Sequence, residues 1–147
     1  GGGYGGQYLI LDKIFDIKSY TIFDLNDVNK LIEKYVEHFL TKSFYRTTTI
    51  NKLDDTQSFD FIISNYAFSE LPKKLQIVYL NKAIKKSKRG YMTMNPCFIK
   101  SESKPSLDNL HIEDIKQYLP NLKIINEEPR TAERNFIIIW DKDNFNA

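Results

Sequence analysis

The chain has 147 residues, 41% of them hydrophobic and 27% charged, with a net charge of +2. That is enough for one domain with a real core and too little for two of ordinary size, so a single domain over residues 1–147 is expected. The near-neutral balance announces neither a nucleic acid nor a membrane surface, no run reaches transmembrane length, and the lone Cys97 excludes an intramolecular disulfide and fits a reducing, cytoplasmic compartment.

The first element is the loop Gly1-Gly2-Gly3-Tyr4-Gly5-Gly6-Gln7, followed by the helical spacing Tyr8, Leu11, Ile14, Phe15. Such a loop leaves bare amides at a helix start, where a nucleotide-like ligand can approach the main chain closely. A flexible linker is the alternative reading. The sequence has no initiating Met and opens in the middle of this motif, so it reads as a piece of a longer protein.

Residues 20–25 form a short β-rich run ending in the Asp24 acid. Val28, Leu31, Ile32, Tyr35, Val36, Phe39 and Leu40 then repeat as the stripe of an amphipathic helix. Residues 44–50 read as a strand and 51–58 as a polar loop. The nearly continuous apolar run Phe59-Asp60-Phe61-Ile62-Ile63-Ser64-Asn65 reads as a strand covered on both faces. Pro72 suits the first turn of a helix carrying Leu75, Val78, Tyr79 and Ala83; Gly90 is expected to end it, with Lys85, Lys86, Lys88 and Arg89 as its solvated basic terminus.

Residues 91–95 read as a strand stopped by Pro96, and residues 96–107 as a long polar loop. A short helix follows, carrying Ile112, Ile115, Tyr118 and Leu119 and ended by Pro120. The last strands cover residues 122–126 and 135–140; the charged stretch 127–134 between them leaves no room for a helix, so they should pair antiparallel. Strands alternating with helices predict an α/β sheet with helices on both faces.

In such a sheet the ligand lies at the carboxyl ends of the strands. Asp24 stands there, about twenty residues beyond the glycines, the distance at which an acid accepts ribose hydroxyls; the alternative is an acid capping the helix that starts near Asp27. Asp54 and Asp55 are adenine acceptors or turn formers. Asn65, Tyr66, Ser69 and Glu70 follow the next strand and face a cofactor's reactive end or start the helix before Pro72. Glu70 and His111 are candidate general bases, with a helix-start role as the alternative for His111; His38 is a surface residue. The two histidines lie too far apart for metal-ligand spacing, although carboxylates remain available to magnesium.

The glycines fit both G-x-G-x-x-G and G-x-G-x-G. Residues 59–71, Phe-Asp-Phe-Ile-Ile-Ser-Asn-Tyr-Ala-Phe-Ser-Glu-Leu, resemble the fourth-strand region of class I S-adenosylmethionine-dependent methyltransferases. Together with the glycine run and Arg89-Gly90-Tyr91-Met92-Thr93-Met94-Asn95, they are similar to sugar O-methyltransferases. The resemblance implies a Rossmann-like sheet of strand order 3-2-1-4-5-7-6 with an antiparallel seventh strand.

It also implies S-adenosyl-L-methionine as cofactor and methyl transfer to a sugar, as a small molecule or glycan. Gly1, Gly3 and Gly5, with Gly2 and Tyr4 in the same loop, would approach the methionine part. Asp24 with Leu25 would take the ribose, Leu53 and Asp54 the adenine, and Asn65 with Tyr66 the edge near the sulfonium. The family's first strand would lie upstream of Gly1, so two half-sheets and poor cofactor binding by the isolated chain are expected. The competing readings are a nicotinamide-dependent oxidoreductase, for which no tyrosine-lysine pair stands at the usual helical spacing, and a non-catalytic remnant that binds a partner. Residues 97–107 are expected to help choose the acceptor.

Overall fold

The computed structural model describes residues 1–95 and 108–143. The chain has an α/β fold with mixed sheet structure flanked by helices, and it divides into two compact units, Gly1–Asp54 and Asp55–Ala147.

In the first unit the glycine loop enters α1 (Gly6–Ile14), which is followed by β1 (Ser19–Phe23), α2 (Asn26–Val36) and β2 (Phe44–Thr48). β1 and β2 pair in parallel, with Ser19 opposite Phe44 and Phe23 opposite Thr48. Tyr8, Ile22, Ile32 and Val36 form the core, with Leu9, Tyr20, Val28 and Tyr45 packed against it. α1 turns Tyr8 and Asp12 inward, one helical turn apart, and leaves Ile14 exposed. Asp12 is buried because it binds the segment before β2: its carboxylate accepts the Lys42 and Ser43 amides, each at 2.8 Å, and the Ser43 hydroxyl at 2.5 Å. Those bonds hold its carboxyl below the usual range, the Ser43 hydroxyl contributing most.

The apolar stripe expected to run to Leu40 is cut short. α2 ends at Val36, only its Ile32 and Val36 are buried among the apolar positions, and Leu40 is 99% exposed.

The second unit contains β3 (Phe59–Asn65), a 3-10 turn (Ala67–Glu70), α3 (Lys73–Lys82), β4 (Ser87–Met94), α4 (Ile112–Tyr118), β5 (Lys123–Asn126) and β6 (Phe136–Asp141). Its sheet has the order β3-β4-β6-β5; β3 and β4 are parallel, and β6 runs antiparallel to both β4 and β5. Numbered from two, β2-β1 and β3-β4-β6-β5 follow the runs 3-2 and 4-5-7-6 of the expected order. Leu80, Met92, Met94, Ile115 and Ile138 are fully buried in its core, with Phe68 and Trp140 beside them.

Two expectations are corrected in this unit. β3 is not covered on both faces: Phe61 is 49% exposed. Gly90 does not end the α3 segment but sits inside β4, opposite Ile62 and Trp140. A Cβ there would lie 2.4 Å from the Ile62 carbonyl oxygen and 2.5 Å from the Trp140 ring, so the indole crosses the strand where no side chain fits.

Lys88 and Arg89 are therefore strand residues. Lys88 pairs with Asp60 at 2.8 Å, and Arg89 reaches Asp141 at 3.7 Å and Asp143 at 3.4 Å. The loop expected over residues 96–107, with Cys97, lies outside the described residues.

Candidate functional site

The glycine loop is a tight turn closed by the Gly5 amide, which donates to the Gly2 carbonyl at 2.9 Å. Gly3 and Gly5 have φ of 55° and 83°, in the left-handed region that favours glycine. A Cβ on Gly2 would meet Ile22 Cγ2 at 2.3 Å, and one on Gly5 would meet Val36 Cγ2 at 2.9 Å. These two glycines let the loop lie on β1 and α2. Gly3 has nothing within 4 Å of its Cβ position, so it presents open main chain.

The loop is tied to the carboxyl end of β1. Gly1 N donates to the Phe23 carbonyl at 3.0 Å, and Asp24 Oδ2 accepts the Gly2 amide at 2.6 Å. Asp24 Oδ1 accepts the Leu25 amide at 2.8 Å. The N-cap of α2 is Leu25, with no side-chain cap, which removes the capping alternative for Asp24. Each Asp24 oxygen spends one acceptor site on the main chain and keeps capacity for a further donor such as a ribose hydroxyl.

Asn29, a residue that the sequence reading did not single out, supports this acid: its Nδ2 donates to the Asp24 carbonyl at 3.2 Å. Asn29 is 6% exposed, and its Oδ1 is buried without a hydrogen-bond partner. It also lines a polar cleft of about 390 Å³ between α2, through Asn26, Lys30 and Glu33, and the end of β2 with Lys52. A buried asparagine inside an amphipathic helix carries no sequence signal that separates it from a surface one.

Leu25 follows Asp24 and is 72% exposed, an apolar side chain held at the carboxyl end of β1. Leu53 is buried after a 3-10 turn (Ile50–Lys52), and Asp54 adjoins it. Tyr4 is exposed, and its ring lies tilted against that of Tyr35, with centroids 6.3 Å apart. His38 is exposed and binds the Lys34 carbonyl through Nδ1 at 2.6 Å.

In the second unit the structure gathers Asn65, Tyr66 and Glu70 at the carboxyl end of β3. Asn65 Oδ1 accepts the Thr93 hydroxyl at 3.4 Å. Ser69 is fully buried, donates its hydroxyl to the Tyr66 carbonyl at 2.6 Å and accepts the Asn95 amide at 3.3 Å. Exposed Glu70 accepts the Asn95 side-chain amide at 3.2 Å through Oε1. His111 is the N-cap of α4 in a reciprocal capping box with Asp114, whose Oδ2 accepts the His111 amide at 3.0 Å. That is the helix-start role. Asp55 is ion-paired with Lys82 and Lys86, at 3.7 and 3.9 Å.

A polar cluster that the sequence reading treated as a charged connection stands beside Tyr66. The Tyr66 hydroxyl binds Glu127, and lies 2.6 Å from Thr131 Oγ1. Glu127 also accepts the Thr131 amide at 3.0 Å, and Asn135 donates to Thr131 Oγ1 at 2.9 Å. The Tyr66 hydroxyl, followed by the Thr131 donors, holds the Glu127 carboxyl down at about 2 against an ordinary 4.5, so it stays ionised. The charged stretch 127–134 does not reveal by its sequence that one of its carboxylates is buried.

Among the described residues, no group of three or more His, Cys, Asp or Glu side chains is placed to hold a metal ion. No helix among them is long and apolar enough to cross a membrane.

With strand order and site geometry set, solved structures supply the comparison. A S-adenosylmethionine-dependent methyltransferase from Clostridium acetobutylicum superposes with a TM-score of 0.63 at 10% identity, over 94% of this chain and 80% of that one. The chain has the fold of the class I methyltransferases. LepI in complex with SAM gives a TM-score of 0.62 at 11% identity, over 96% of this chain and 41% of LepI. A structure described for conversion of a disulfide bond into a thioacetal group during echinomycin biosynthesis gives 0.64 at 9% identity, over 97% and 74% of the two chains. The chain thus spans from two fifths to four fifths of these neighbours. No protein-family model and no curated protein matches.

Proposed function

We propose that the chain is the core of an S-adenosylmethionine-dependent O-methyltransferase that acts on a sugar or glycoconjugate hydroxyl. The observation that carries this reading is the bond from Gly2 to Asp24 at the end of β1, beside a glycine whose Cβ position is open. The arrangement suits a nucleoside with two vicinal hydroxyls. Asp24 retains acceptor sites for them, Gly3 lets a ligand approach the main chain, and Leu25 offers an apolar surface to a purine. Leu53 and Asp54 would take the purine's edge, and Gly1, Gly5 and Tyr4 would border the amino-acid part.

The cofactor, when bound, supplies an activated methyl group. Transfer then depends on positioning the acceptor oxygen and excluding water, with proton removal as the remaining demand. Asn65 and Tyr66 would border the reacting group. Glu70 is the leading base, because Oε1 holds Asn95 while Oε2 is available for the acceptor's proton; His111, the other candidate, already serves as the N-cap of α4. The sugar as acceptor rests on the similarity of residues 59–71 and 89–95 to sugar O-methyltransferases. The fold alone does not select the reaction, since one neighbour bears the name of thioacetal formation.

The test is a titration of the chain with S-adenosylmethionine, S-adenosylhomocysteine and NADH, followed by backbone amide shifts so that weak binding registers. The two sulfur nucleosides should move Gly3, Gly5 and Leu25, and Asp24→Ala should abolish the response. A response to NADH alone, or one that Asp24→Ala leaves intact, would overturn the reading.

A further inference from the structure

We infer that Glu127 is a positioning residue that holds Tyr66, and with it the Asn65 to Tyr66 turn, in the conformation required at the reacting end of the proposed methyltransferase site. The inference rests on that functional reading for its purpose, but its geometry stands by itself. Tyr66 has φ 62° and ψ −31°, a backbone state that costs a bulky L-residue of order 1–3 kcal/mol and persists only where its surroundings fix it.

Its main chain is held on both sides. The Tyr66 amide donates to the Thr93 carbonyl at 2.9 Å, and its own carbonyl accepts the Ser69 amide at 2.9 Å. Those bonds tie the turn at its two ends, and neither reaches the ring. The ring is fixed from 61 positions away, by Glu127 on the connection between β5 and β6.

Glu127 is only 6% exposed, and burying a carboxylate is costly unless strong donors surround it. Thr131 supplies its amide and hydroxyl from within the same connection, at 3.0 and 2.9 Å, which orients the carboxylate. Tyr66 is the partner from another element. A connection of this length needs no internal charge to turn between antiparallel strands, so the buried carboxylate is best understood by what it holds.

The experiment compares Glu127→Ala, Glu127→Gln and Tyr66→Phe, with the Tyr66→Phe and Glu127→Ala double variant. Two readouts are taken well below the unfolding midpoint: the φ-sensitive amide coupling of residue 66, and S-adenosylhomocysteine affinity. Glu127→Ala should move the coupling toward ordinary negative φ and weaken affinity about tenfold. Tyr66→Phe should do the same, the double variant should be no worse than either single one, and Glu127→Gln should restore most of the loss. If Glu127→Ala lowers only the melting temperature, leaving coupling and affinity unchanged, the inference is wrong. If the parent chain fails to bind the nucleoside, the functional reading falls, while the coupling still decides whether Glu127 sets the Tyr66 backbone.

Discussion

Asp24 and Gly2 stand 22 positions apart in sequence and 2.6 Å apart in space, with the Gly2 amide donating to Asp24 Oδ2. A hydrogen bond to a charged acceptor contributes about 1.5–3 kcal/mol, which adds to the packing of Gly2 and Gly5 on β1 and α2. In Asp24→Ala the Gly2 and Gly5 amides should exchange with solvent at least about tenfold faster, and in Asp24→Asn by less, because the amide oxygen still accepts. Unchanged exchange in Asp24→Ala would show that the loop is held by packing alone.

Three glycines of this loop should respond differently to alanine. Gly5→Ala combines φ 83° with a 2.9 Å approach to Val36 and should cost about 1–3 kcal/mol in a thermal melt. Gly3→Ala meets only the φ penalty, about 1 kcal/mol, yet places a methyl group on the open side and should reduce nucleoside binding disproportionately. Gly6→Ala enters open space at the start of α1 and should stabilise by about 0.5 kcal/mol.

At the centre of the second unit, the Trp140 indole donates to Ser87 Oγ at 2.9 Å while its ring passes over Gly90. Ser87→Ala leaves the buried N–H unpaired and should cost about 1–3 kcal/mol. Gly90→Ala forces the ring or β3 to move and should cost about 3 kcal/mol. Equal melting temperatures for Gly90→Ala and the parent would contradict the close crossing.

Glu127 makes stability depend on acid. Its folded value is depressed to about 2 from an ordinary 4.5, so its contribution is complete above 4.5 and is lost as pH falls through 2. Chemical denaturation at steps from pH 6 to pH 2 should show a decline that Glu127→Gln flattens in part. Asp12, also depressed, should account for some of the remaining slope. An identical slope in Glu127→Gln would mean that this carboxylate is not selectively stabilised in the folded chain.

Much of the fold was legible from local pattern. The alternation of strand-like and helical stretches, the glycines before α1 and the short connection between β5 and β6 depend on neighbours in sequence, and all appear in the structure. The candidate site was legible where it shared that locality: the glycines and Asp24 carry a spacing. Errors came where burial decided. Gly90 looked like a helix stop because a glycine in a strand has the same symbol, and only Trp140 across the sheet gives it another purpose.

Sequence by itself determined the α/β alternation, the turn chemistry of the opening loop and the acid at the end of β1, because backbone preference and periodicity act over a few residues. Tertiary structure decided that Asp24 clasps Gly2 rather than capping α2, and that Gly90 makes room for Trp140. It also decided that Glu127 leaves water to bind Tyr66. The physical reason is the same each time: a charge or a missing side chain takes its meaning from atoms brought near by folding, and those lie tens of residues away in the chain.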